Sequence, residues 1–368
     1  MIYLDYQATT PLAPEARDAM LRWLDGPGGT GFGNPHSPHR MGRQAKAAVE
    51  FARDQVAALF PAGGKVIFTS GATEAINLAI RGSASHGRGG GTVSVSAIEH
   101  AAVLDTARDA AKCHVLNVAK NGQCNTKQDL PADTRLVCLM QVNNEIGTIQ
   151  PTIEWHRKAK ENNALYFCDA VQAYSRIELT GADMIAISAH KFHGPKGIGA
   201  LWVRDGLDLT EVQTGGGQEF GLRSGTLSPA LIAGMGAAAQ EAKERIEQDA
   251  EHVQKLWKRA SELFEDWELN GSAEARWHGN LNIRPRGPNG GGLDVNRLMS
   301  EVRDVMFSAG SACASGSGRT SHVLEAIGLP QKLAKCSIRL GFGRYTTMEE
   351  IETAAAKINA AARAQGSL

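Results

Sequence analysis

Through the first two thirds of the chain, short apolar runs alternate with amphipathic or alanine-rich stretches. Val66-Ile67-Phe68-Thr69 is followed by a Ser-Gly-Ala-Thr turn and the helical pattern of Glu74 to Ile80. Thr92 to Ser96 precedes Ala101 to Ala111, Leu136 to Met140 leads into another turn, and Leu165-Tyr166-Phe167-Cys168 ends in Asp169. Met184-Ile185-Ala186-Ile187 ends in Ser188, with Gly199 to Val203 close behind. Short apolar runs bounded by turn residues read as buried strands. Strands that alternate with helices predict an α/β domain with a mostly parallel sheet. The last two runs are too close for a helical crossover, so an antiparallel strand is expected there.

From Ser228 to about Trp267 the chain is rich in Ala, Glu, Lys and Gln and reads as one long helix, able to bridge two domains. Beyond it, Leu281-Asn282-Ile283 and Ser337-Ile338-Arg339-Leu340 read as strands, with helices near 293–302 and 348–364. That pattern predicts a smaller α/β C-terminal lobe. Gly26 to Gly33 and Ser83 to Gly91 are glycine- and serine-rich loops, and no internal repeat is visible. At 368 residues the chain exceeds the usual single-domain size, which agrees with two lobes.

Charge and cysteine usage narrow the function. Basic and acidic residues balance at 39 each, which gives no reason to expect nucleic acid or an anionic membrane as a partner. No apolar run approaches the ~20 residues that span a bilayer, and an acid, Asp5, stands where a signal peptide would be basic. A cytoplasmic protein is expected. The six cysteines are scattered without CxxC pairs, so no clustered-cysteine metal site is expected. Cys138 and Cys168 lie in strand-like runs and read as inert core residues.

Cys313 is different. It sits in the run Ser308-Ala309-Gly310-Ser311-Ala312-Cys313-Ala314-Ser315-Gly316-Ser317-Gly318, where nothing bulky surrounds the sulfur. Such a loop suits a thiol nucleophile that carries something from place to place; a flexible loop that happens to contain a cysteine is the plain alternative. In open α/β sheets, ligands bind beyond the carboxyl ends of the strands. Those ends carry Ser70-Gly71-Ala72-Thr73, Glu99-His100, Asn143-Asn144-Glu145, Asp169-Ala170-Val171-Gln172 and Ser188-Ala189-His190-Lys191. A helix opened by Ser-Gly-Ala-Thr after a strand offers unpaired N–H groups and a hydroxyl to a phosphate, although taken alone it reads first as an ordinary helix cap. No Walker lysine and no GxGxxG is present. Lys191 can form a Schiff base if desolvation and nearby cations lower its pKa from ~10.4; alone it is also a plain turn lysine. Asp169 is costly to bury without a partner, and a protonated pyridine nitrogen is such a partner. A phosphate cradle, an aldehyde-accepting lysine and an acid for a ring nitrogen are what pyridoxal phosphate requires.

With these residues in view, the chain resembles the cysteine desulfurases of the NifS/IscS-like kind, within the class V aminotransferase family of pyridoxal-phosphate enzymes. The likeness rests on Tyr3-Leu4-Asp5, Ala8-Thr9-Thr10-Pro11, Gly33-Asn34-Pro35-His36-Ser37 and Thr69 to Glu74. It continues through Glu99-His100, Val142 to Gly147, Asp169 to Gln172, Ser188 to Phe192 with Gly194 to Gly197, Arg223 to Thr226, Gly310 to Cys313 and Ser337 to Arg339. The resemblance implies a fold-type-I transferase. Its large domain, 15–255, would hold a mixed, mostly parallel seven-stranded sheet flanked by helices. Residues 1–14 and 256–368 would form the small α/β domain that carries the cysteine loop.

The resemblance also implies roles. Lys191 would hold pyridoxal 5'-phosphate covalently and move protons, and His100 would stack on its ring and act in acid–base steps. Asp169 would pair with the ring nitrogen and Gln172 with the phenolic oxygen. Ala72, Thr73, Ser188 and His190 would hold the phosphate, with Thr226 reaching in from the other subunit of a homodimer. Asn144 and Arg339 would grip the carboxylate of L-cysteine, and Cys313 would receive its sulfur as a persulfide. The acceptor implied is an iron–sulfur scaffold protein or another sulfur acceptor. The Ser-Gly-Ser-Ala-Cys loop resembles group I enzymes, whereas Phe220 and His193 depart from a common Arg and Tyr of that group. An aminotransferase or lyase for another amino acid, with Cys313 a bystander, and a catalytically idle cofactor-binding scaffold are the rival readings.

Overall fold

The computed structural model describes residues 1–85, 90–310 and 320–368. The chain opens with β1 (Ile2–Tyr3), α1 (Pro14–Leu21) and α2 (Arg40–Ala57), followed by β2 (Gly64–Thr69) and α3 (Ala72–Gly82). Next come β3 (Thr92–Ser96), α4 (Ala101–Ala110), β4 (Cys113–Leu116), β5 (Thr134–Cys138) and α5 (Thr152–Glu161). β6 (Leu165–Asp169), β7 (Met184–Ser188) and β8 (Gly199–Arg204) lead to the 35-residue α6 (Pro229–Leu263). The rest comprises β9 (Trp267–Leu269), β10 (Asn280–Pro285), α7 (Val295–Glu301), β11 (Val305–Met306) and β12 (Ser308–Ala309). It ends with α8 (His322–Ala326), α9 (Gln331–Lys335), β13 (Ile338–Gly341) and α10 (Met348–Ala364).

Seven strands form the main sheet in the order β2-β8-β7-β6-β5-β3-β4. Only β8 runs against the rest: it is antiparallel to both β2 and β7, and the other pairs are parallel. The expected antiparallel strand is therefore present, entered through the short 3-10 turn Ala189–Lys191 rather than a crossover helix. The carboxyl ends of β2, β3, β5, β6 and β7 consequently share one edge. Both sheet faces are covered, which explains why β3, β5, β6 and β7 are buried at every position. Val66, Phe68, Tyr166 and Ile185 pack on one side with Val49 and Val56 of α2 and with Ile232 and Met235 of α6. Ile67, Val95, Phe167 and Met184 pack on the other with Ile76 of α3 and Val103 of α4.

A second sheet, β12-β13-β10-β9, is antiparallel throughout. Leu281, Ile283, Ile338 and Leu340 from it form a separate core with Ile351 and Ile358 of α10 and with Ile2 and Leu4 from the chain start. Val253, Leu256 and Ala260, in the last part of α6, belong to this second core, so one helix serves both. The helix expected to reach about Trp267 ends at Leu263. Trp267 instead begins β9, where it faces Pro285 across the ladder and its indole donates to Asn359 at 2.8 Å. A buried partner for the ring outweighs continued helical pairing. The loop expected at 83–91 opens with a 3-10 turn, Ser83–Ser85, and residues 86–89 lie outside the described part.

Candidate active site

Beyond the shared carboxyl edge lies a cavity of about 530 Å³. Ala72, Thr73, His100, Asn144, Asp169, Gln172, Ser188, His190, Lys191 and Arg339 all line it. Ten of the positions expected from sequence thus converge there. Thr226 does not; it is exposed and lines no part of this chain's cavity. Cys313 lies outside the described residues.

Each strand end presents its group for a local reason. After β2, Thr69 Oγ donates to the Gly71 carbonyl at 2.9 Å and tightens the turn into α3. Among the described residues no side chain caps this helix start, which leaves its first N–H groups open to an anion, and Gly71, Ala72 and Thr73 line the cavity. Gly199 allows this: a Cβ there would lie 2.6 Å from the Ile187 carbonyl and 2.8 Å from Gly71 Cα. After β3, His100 caps α4, its Nδ1 accepting from Ala102 N–H at 3.1 Å. That bond places the proton of the neutral ring on Nε2. Its neighbour Glu99 turns inward, accepts from Met140 N–H at 2.8 Å and does not line the cavity. After β5, Asn143 Oδ1 accepts from the backbone N–H groups of Glu145 and Ile146, forming the turn that presents Asn144.

Asp169 ends β6 with Oδ1 accepting from Val171 N–H at 2.9 Å. Burial pushes this carboxyl upward, partly offset by His100, and burial pushes His100 downward. A cationic partner in the cavity would stabilise the Asp169 carboxylate. His190 is lowered to about 4 by burial and the neighbouring lysines, so it is neutral at physiological pH, its Nδ1 3.2 Å from Thr9 Oγ. Lys191 Nζ donates to the carbonyls of Gln7 and Ala8, both at 2.7 Å. Burial first, then the charges of Arg176 and Arg339, lower its pKa to about 8. Arg339 is fully buried; it pairs with Asp5 at 2.7 Å, donates to the Asn144 carbonyl at 3.0 Å, and among the described residues leaves Nε without a partner. The donor set fits pyridoxal phosphate: an uncapped helix start with Thr73, a buried carboxyl, and a lysine near neutrality.

Sequence reasoning assigned no role to Asp5, Gln7 or Ala8, although Gln7 and Ala8 line the cavity. Gln7 and Ala8 act through backbone carbonyls, which leave no signature in residue type, and Asp5 acts through its carboxylate on Arg339. Phe220 lies outside this cavity with its ring exposed against Arg53 and Lys65, at 5.3 and 5.5 Å. His193 is buried between the rings of Tyr6 and Tyr345, its Nδ1 2.9 Å from the Pro11 carbonyl.

This lysine-centred cavity on a mixed seven-stranded sheet is the arrangement of a fold-type-I pyridoxal-phosphate enzyme. The profile of the family "Aminotransferase class-V" matches residues 2–353, and the chain belongs to that family. It is 40% identical over 374 residues to a protein named "Cysteine desulfurase IscS" from Rickettsia bellii (strain OSU 85-389), covering 96% of this chain and 89% of that relative. Among solved structures, one titled "NIFS-LIKE PROTEIN" superposes with a TM-score of 0.87 at 30% identity over 98% of both chains. Another, "SspA in complex with cysteine", has a TM-score of 0.82 at 31% identity, covering 94% of this chain and all of that one.

Proposed function

We propose that the protein is a pyridoxal-phosphate-dependent cysteine desulfurase, which converts L-cysteine to L-alanine and takes the sulfur as a persulfide on Cys313. The observation that carries this reading is the joint presence, in one cavity, of Lys191, Asp169, His100 and Arg339. Bound pyridoxal phosphate supplies an electron-withdrawing ring that stabilises negative charge at the α-carbon of an attached amino acid. Ala72, Thr73, Ser188 and His190 would hold the phosphate, Gln172 the phenolic oxygen, and Asp169 the ring nitrogen. Lys191, near neutrality at about 8, would attach the aldehyde and shuttle the α-proton. His100 presents Nε2 for proton transfer because Nδ1 is committed to Ala102. Asn144 and Arg339 would orient the carboxylate of L-cysteine.

In the sulfur step the Cys313 sulfur bonds to the substrate sulfur, the carbon–sulfur bond breaks with its electron pair left on carbon, the proton lost by the Cys313 thiol is delivered to that carbon, and alanine leaves. The reading includes a group I loop, a homodimer to which Thr226 contributes across the interface, lobes at 15–255 and at 1–14 with 256–368, and a cytoplasmic location. An iron–sulfur scaffold protein is the proposed acceptor. Among the described residues, no helix is long and apolar enough to cross a membrane.

Mass spectrometry after brief exposure of the purified yellow protein to L-cysteine tests the proposal. One added sulfur on Cys313, with alanine released, is expected. Alanine release with Cys313 unmodified would overturn it in favour of a lyase, and formation of the α-keto acid of cysteine without alanine in favour of an aminotransferase.

A further inference from the structure

Arg176 lies in the turn segment after β6, four residues beyond Gln172, and does not line the main cavity. Its guanidinium reaches two residues that do. Nη1 donates to the Gln172 backbone carbonyl at 3.1 Å and to Gln172 Oε1 at a shorter distance, while Nη2 donates to the Lys191 carbonyl at 2.8 Å. The guanidinium carbon is 5.8 Å from the centre of the Trp277 ring. Among the described residues no carboxylate pairs with it. Arg176 is partly buried, and desolvating a cation without a counter-ion is costly; that desolvation lowers it only to about 10, so it stays charged at neutral pH.

We propose that Arg176 is a positioning residue of the active site: its fork fixes the Gln172 carboxamide with Nε2 toward the cavity and ties that group to the backbone of Lys191. The logic is that of donors and acceptors. A guanidinium only donates, so it meets Oε1 and never Nε2. One Nε2 hydrogen is used by the Gln7 carbonyl at 3.0 Å, which leaves the other for an acceptor in the cavity. The same cation, beside Lys191, favours its uncharged form. A lysine at 176 would keep the charge and lose the two-pronged geometry. This inference rests on the reading that Lys191 carries the cofactor.

The test is a pH titration of the visible absorption band of cofactor-loaded wild type, Arg176→Met, Arg176→Lys, Gln172→Ala and Lys191→Ala. Arg176→Met should move the titration midpoint up by roughly one unit, the size of a lost neighbouring charge, and shift the band as Gln172→Ala does. Arg176→Lys should return the midpoint toward wild type and keep the band shift. Arg176 variants with wild-type midpoint and band would overturn the inference; if Arg176→Met does not fold, a wild-type band in Arg176→Lys does so. Persistence of the wild-type titration in Lys191→Ala would instead overturn the Lys191 reading. Its loss there, with unaltered Arg176 variants, would remove only the present inference.

Discussion

Lys191 Nζ lies 2.7 Å from the carbonyl oxygen of Gln7, although 184 positions separate the two residues. The same carbonyl accepts from Gln172 Nε2 at 3.0 Å, so the N-terminal segment is part of the wall that holds the reactive lysine. Thr10 continues the tie, its N–H donating to the His190 carbonyl at 2.9 Å. The amine is thereby kept in a dry, cation-rich corner. With its pKa at about 8, Lys191 is protonated below that pH and reactive above it. The rate at which cofactor-free protein turns yellow with pyridoxal phosphate should rise with pH to half its maximum near 8. A midpoint near ~10.4, the ordinary lysine value, would show that the corner is wet.

Arg339 is the cation placed for a substrate carboxylate. Replacing it by Ala should raise the KM for L-cysteine about 10- to 150-fold, as expected for losing a charged hydrogen bond of about 1.5–3 kcal/mol. Cofactor colour should be retained. Because Asp5 loses its partner in that variant, a thermal melt of Asp5→Asn separates the structural cost from the binding effect.

For Cys313→Ala, yellow colour and L-cysteine binding should persist, since Lys191 and Arg339 are untouched. Sulfide formation in the presence of a reductant should fall by roughly a thousandfold, as when a covalent nucleophile is removed. Full activity in this variant would be decisive against the sulfur-carrier role.

A stability prediction concerns Glu219, which is buried and bonds Arg53 with both oxygens while also accepting from Phe68 N–H. Its φ of 45° and the 62° of Phe220 place two consecutive non-glycine residues in left-handed backbone. The ion pair holds them there. Among the described residues, Glu219→Ala leaves Arg53 with only the more exposed Glu50 as counter-ion. The loss should approach the about 3–5 kcal/mol of a broken buried pair, read as a lower midpoint in denaturant.

The three atoms nearest to a Cβ built at Gly199 are all backbone. Gly199→Ala must therefore part β8 from the turn at Gly71, costing about 1–3 kcal/mol of overpacking. Retention of pyridoxal phosphate on dialysis should also fall, because that turn opens the helix start that would cradle the phosphate. An unchanged melt and unchanged retention would show that the turn is free to move.

The strand ends were readable in advance because a buried apolar run that stops at a polar residue marks both the edge of the sheet and the mouth of a site. Asp169, Ser188 and Lys191 were visible on that ground, and Cys138 and Cys168 are indeed buried thiols, pushed well up by burial. Trp267 was misassigned to a helix because its composition continues the α6 pattern, whereas its cross-strand partner Pro285 and the Asn359 acceptor are remote in sequence. Asp5, Gln7 and Arg176 carried no local sign either. What they contribute, an ion pair to Arg339, a carbonyl to Lys191 and a fork to Gln172, exists only after distant segments meet.

Periodicity and residue type along the chain were enough to specify which groups are chemically competent and on which ends of which strands they stand, since both follow from local backbone geometry. The lowered pKa of Lys191, the tautomer of His100 and the pairing of Arg339 with Asp5 were settled by the folded molecule. Desolvation and charge proximity depend on three-dimensional distance, and residues 5 and 339 become neighbours only when the chain closes on itself.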